Sequence, residues 1–185
     1  MCKRLLTIVS VALGLGATGA AAQTLPPAEQ AFFDQHIREL VTTQATRLTD
    51  ADVAAVFAIP IYSVLVEIKE GDGSSRQTIL VARVGEQLVG LFQPGEESDC
   101  PDIQKLFSPA FKLRGQVAAA RLQHALDVVY PISSGGDEKT KAIRHVGNEW
   151  TFVRGTFFDK SMGFVLTTDA SGKIVGVRWS LKLPG

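Results

Sequence analysis

The side chains that could do chemistry here are one cysteine, three histidines and an arginine set among aromatic residues. Cys100 precedes Pro101, which suits the first turn of a short helix; a thiol at that point lies near a positive dipole end that favours thiolate. Glu96, Glu97, Asp99 and Asp102 surround it in sequence and oppose ionisation. The other cysteine, Cys2, falls in a segment read below as a leader, so Cys100 has no partner for an internal disulfide. A dithiol oxidoreductase is therefore excluded within one chain. What remains is a single-thiol redox protein or, more plainly, an unreactive thiol on or under a polar loop.

Arg154 stands in the run WTFVRGTFF, where period-two alternation puts it on one strand face with Trp150, Phe152, Thr156 and Phe158. A guanidinium among rings could bind an anionic ligand such as a carboxylate. It could equally run to the sheet edge or stack on an aromatic neighbour. His145 lies beside Arg144 on a predicted strand and could line a pocket. His36, His124 and His145 are far apart, with no i, i+4 pair and no cysteine at ligand spacing, so the pattern names no metal site.

Other signatures are missing from the sequence. The acidic run EESDCPD lacks the alternating register of an EF-hand and reads as solvated surface. There is no phosphate-cradling glycine loop, G-x-S-x-G elbow or H-E-x-x-H helix, and DASGK lacks Walker A spacing. No cofactor is implied. Nineteen basic and nineteen acidic side chains balance, with no basic cluster, which argues against nucleic acid or an anionic membrane surface as partner.

These residues need a scaffold, and residues 1–22 do not belong to it. Lys3 and Arg4, a short apolar stretch and Ala20–Ala22 form the three parts of a secretory signal peptide, with cleavage expected after Ala22. The apolar stretch is well under the ~20 residues that span a bilayer, so no membrane span is expected after cleavage. Residues 23–185 then form one domain, long enough to hold together by core burial alone.

Within that domain, apolar spacing predicts a helix from Ala28 to about Arg47, a second from Asp50 to Ala58 with Thr49 as its capping residue, and a third from Gly115 to Val129. A short helix is expected from Pro101 towards Phe107. Ile61–Lys69, Gln77–Val84 and Gln87–Phe92 read as one antiparallel meander, its first two strands apolar on both faces. Lys141–Val146 and the strands of residues 150–183 read as another. The last run alternates from Val175 to Leu183 and buries Trp179, while Asp169 and Gly172 suit positions i and i+3 of a type I turn. About six strands in two meanders, packed on amphipathic helices without βαβ alternation, make an α+β fold.

The closing stretch GFVLTTDASGKIVGVRWSLKL resembles the last hairpin of small cystatin-like or NTF2-like α+β domains. The resemblance implies a curved antiparallel sheet packed on helices and carries no functional residue. The extra meander at Ile61–Phe92 departs from a single domain of that kind, and the order of elements suggests a duplicated helix–meander unit. The function expected is that of an exported, soluble, non-enzymatic protein, periplasmic or extracellular, binding a small molecule or an envelope protein. The alternatives are a small enzyme with a pocket in the sheet, using Arg154 and His145, and a redox protein centred on Cys100.

Overall fold

The computed structural model describes residues 22–36, 41–70, 73–91, 98–130, 142–157 and 160–183. Most of the expected leader, Glu96 and Glu97, the 132–139 loop and Phe158 lie outside them. The fold is α+β, with two antiparallel five-stranded sheets in place of the six strands expected in all. The first has the order β1 (Ala22–Thr24), β2 (Val41–Leu48), β3 (Ile61–Glu70), β4 (Gly73–Val84), β5 (Gln87–Gly90). The second runs β6 (Ser98–Asp99), β10 (Ile174–Leu183), β9 (Lys160–Thr168), β8 (Glu149–Phe157), β7 (Ala142–Val146). Each is a meander, but the short extra strand joins the first strand of one and the last strand of the other. The halves are therefore not topological copies.

The long helix expected over 28–47 is instead α1, Pro27–His36, followed by β2. Residues 41–46, VTTQAT, are rich in β-branched side chains, which suit a pleated surface better than a helix, and β2 pairs with β3 along its length. Among the described residues, the first sheet buries apolar side chains on both faces. One face packs Ala45, Tyr62, Val64 and Val81 against Phe32 and Phe33 of α1. Arg83 lies over the Phe32 ring at 3.7 Å, and the Tyr62 hydroxyl donates to Glu29 at 3.4 Å. The other face gives Ile61 and Ala82 to the main core.

That core also holds Trp150, Phe152, Phe164, Leu166, Val177 and Trp179 from the second sheet and the apolar stripe of α4, Gly115–Val129. Trp179 is 1% exposed, with its edge to Phe164, while Arg178 faces solvent. The alternation along β10 is not strict. Bulges after Ile174 and after Ser180 turn Val175 outward, 45% exposed, and bury Ile174 and Ser180. The β9–β10 turn forms as read: Gly172 N donates to Asp169 O, and Gly172 takes φ +78°. The Asp169 carboxylate accepts from Ser171 N, Ser171 Oγ and Lys173 N, which together hold it below the usual carboxylate range.

Helix α2 (Ala51–Val56), placed between two strands of the first sheet, packs on α4 and so joins the halves. Its N-cap is Asp50 rather than Thr49: the Asp50 carboxylate accepts from Asp52 N and Val53 N, both at 2.9 Å. Past the four-residue helix α3 (Pro101–Gln104), the chain returns to α2: Ser108 N donates to Val56 O and Ala58 N to Leu106 O, and the Phe57 and Phe107 rings stack 5.1 Å apart. No helix among the described residues is long and apolar enough to cross a membrane.

Candidate functional site

Arg154 is 2% exposed. Its position on β8 puts the guanidinium under the end of α4, where Nη2 donates to Leu126 O at 3.2 Å and Tyr130 O at 2.6 Å. Nη1 pairs with the Asp127 carboxylate. A helix ends with carbonyls that lack intrahelical partners and with negative partial charge, so a buried cation there satisfies both. Burial pushes the guanidinium down to about 10, far enough above neutrality to leave it charged. The predicted ring neighbours Trp150 and Phe152 are in the same core, but the functional groups Arg154 meets belong to the helix.

His145 lies on edge strand β7, exposed, with its ring stacked on Trp150, the residue it pairs with on β8, at 3.8 Å and 14°. It therefore covers the rim of the core. His124 has the more ordered surroundings: Nε2 lies 3.1 Å from Asp50 Oδ2, and one turn earlier Arg121 Nε lies 3.0 Å from Asp52 Oδ1. Burial raises the Asp50 pKa, but hydrogen bonds from Val53 N and His124 outweigh it and leave the carboxyl below its ordinary range. Sequence reading missed this pair because its members stand 74 residues apart.

Cys100 is buried at 7% exposure in the main core. Its amide donates to Val177 O at 2.8 Å, and the thiol lies 3.5 Å from Ser98 O. Asp99 and Asp102 are both exposed, and Asp102 pairs with Lys105 at 3.0 Å. No three histidine, cysteine or acidic side chains gather around a common metal position among the described residues.

An open pocket of about 180 Å³ lies where the 104–111 segment meets the start of β10. Phe107, Phe111 and Ile174, all nearly buried, line its apolar part, and Gln104, Lys105, Lys173 and the Ser108–Pro109 turn line the rest. The segment is fixed on one side by its bonds to α2 and on the other by Leu113 N donating to Gly172 O at 2.8 Å. The pocket walls are thus anchored to both halves of the protein.

The chain matches no known protein family, curated protein or solved structure.

The site therefore rests on geometry alone. Of the residues singled out in the sequence, Arg154 and Cys100 lie inside and His145 at the rim of the core, and none lines the pocket. The pocket residues carried no sequence signal, since the phenylalanines at 107 and 111 and the lysines at 105 and 173 form no motif. Only the docking of the β9–β10 turn on the 111–114 segment brings them together.

Proposed function

We propose that this is an exported, non-enzymatic binding protein whose ligand sits in the pocket between Phe107, Phe111 and Lys173. The observation that carries this reading is the pocket itself, a small concavity where Phe107, Phe111 and Ile174 meet Lys105 and Lys173. The groups with the most chemical potential support it from the other side. Arg154 is engaged in capping α4, and the Cys100 thiol is packed in the core. Export rests on the leader-like residues 1–22; cleavage after Ala22 makes Gln23, the second residue of β1, the mature N-terminus.

A thermal-shift screen of the mature protein tests the binding reading, because a ligand that binds the native state raises the melting temperature. A stabilising compound should lose its effect in Lys173→Trp, where an indole occupies the mouth of the pocket. Stabilisers that act equally on this variant would move the site elsewhere, and conversion of a bound compound to product would replace binding with catalysis. Export is checked by the mass of the protein recovered from outside the cytoplasm, with residues 1–22 expected to be missing.

A further inference from the structure

We infer that the pocket takes a small monocarboxylate with a compact apolar body, an assignment that rests on the pocket being the ligand site. Size sets the first limit. A volume near 180 Å³ suits a short branched chain or a single ring. The floor sets the second. Phe107, Phe111 and Ile174 offer carbon to the part of the ligand that enters, and Phe57 stacked on Phe107 stops the ring from moving away.

Charge sets the third limit. The charged lining residues are both lysines, and a third, Lys112, is held at the same edge by its ammonium donating to Pro109 O at 3.1 Å. Two carboxylates stand nearby and temper this field. Asp169 is committed to the β9–β10 turn through three hydrogen bonds, one of them from Lys173 N. Asp102 pairs with Lys105, but both side chains are at least half exposed, 69% and 50%, and exposed pairs exchange partners at little cost. Lys173 has no ion-pair partner among the described residues and is exposed beside the opening. A carboxylate at the mouth would meet Lys173 directly and Lys105 by exchange, while its apolar end covers the two rings. A cationic head group is repelled there, and a neutral one gains only the weaker, uncharged hydrogen bond.

The test uses three probes of one shape, 4-methylpentanoate, 4-methylpentanol and 4-methylpentylamine, titrated into the mature protein and followed by amide chemical shifts. The carboxylate should shift the Phe107, Phe111 and Ile174 amides saturably. Its affinity should fall about tenfold in Lys173→Glu, less in Lys173→Gln, and also with added salt, since the head-group contact is exposed. The alcohol and amine should bind at least about tenfold more weakly. If the alcohol binds the same amides as tightly as the acid, and Lys173→Gln changes nothing, the anionic class is wrong while the pocket stands. If none of the probes moves those amides in the wild-type protein, both this assignment and the pocket as a ligand site fall.

Discussion

The Arg154 guanidinium donates to the Tyr130 carbonyl at 2.6 Å, fastening a strand in the middle of the second sheet to the last turn of helix α4. The same side chain reaches Leu126 O and Asp127, so one residue holds three groups at a single helix end. Arg154→Met should therefore act on stability. It leaves two carbonyls and a carboxylate without their cation, and breaking a buried pair from one side costs about 3–5 kcal/mol. Asp127 keeps 28% exposure, which places the cost towards the lower figure. Urea midpoints measure it. The double variant Arg154→Met, Asp127→Leu should recover part of the loss, because it removes both charges. A stability left unchanged in the single variant would return Arg154 to the ligand-binding role.

Both tyrosines should be silent in an alkaline titration of the folded protein. Burial pushes the Tyr130 and Tyr62 phenols up, with Cys100 adding to the shift at Tyr130 and Glu29 adding to it at Tyr62. An unfolded tyrosine ionises near pH ~10. Above that pH the unfolded chain binds fewer protons than the folded one, so stability falls as pH rises. The stabilising contribution is full below ~10 and is lost above it. Absorbance at 295 nm should stay flat through pH 10 and rise together with loss of the folded circular dichroism signal. A phenolate signal at an ordinary midpoint with the fold intact would contradict the burial of at least one ring.

Gly163 on β9 should tolerate no side chain. A Cβ there would lie 2.0 Å from the Phe152 carbonyl oxygen, and that oxygen belongs to the backbone of the neighbouring strand. The strands would have to part, so Gly163→Ala should cost at least the ~1–3 kcal/mol typical of overpacking. Gly176→Ala is the control, since its new methyl would meet only the Thr167 side chain at 3.4 Å. Equal thermal shifts in the two variants would mean that β8 and β9 are not paired in this register.

Cys100 should react with alkylating agents only when the protein opens. The thiol is packed under the β6–α3 connection, at 7% exposure, and its amide is tied to Val177. Labelling by iodoacetamide at neutral pH should be slow in buffer and should accelerate with urea in parallel with unfolding. Cys100→Ser should keep the contact to the Ser98 carbonyl and fold normally. Rapid labelling of the native protein would favour the redox reading.

Much of the architecture was legible in local chemistry. Helix α4 ran from a glycine to the residues before Pro131 with a clear apolar stripe, and its bounds follow that pattern. The Asp169–Gly172 turn was readable because a left-handed glycine and an aspartate that binds its own loop act within five residues. Trp179 was placed in the core by alternation alone. The reading went wrong at residues 41–47, where apolar spacing continued the helix while β-branched residues favoured a strand, and pairing with β3 decided between them. It also went wrong at Val175, since a bulge inserts a residue without any mark in the pattern.

The sequence by itself determined α4, the β3–β5 meander and the β9–β10 hairpin, because periodicity and turn chemistry act over a few residues. Only the tertiary structure decided what the charged and polar residues meet. Arg154 finds the end of α4 at Tyr130, and His124 finds the aspartate that caps α2. Lys173 and Phe107 line one pocket only because the β9–β10 turn docks on the 111–114 segment. Each of these contacts joins distant parts of the chain, and its partner is selected by which surfaces the packing of α4 and α2 brings together. A cation or an aromatic ring carries no record in its own neighbourhood of which carbonyl, carboxylate or ring the fold will set against it.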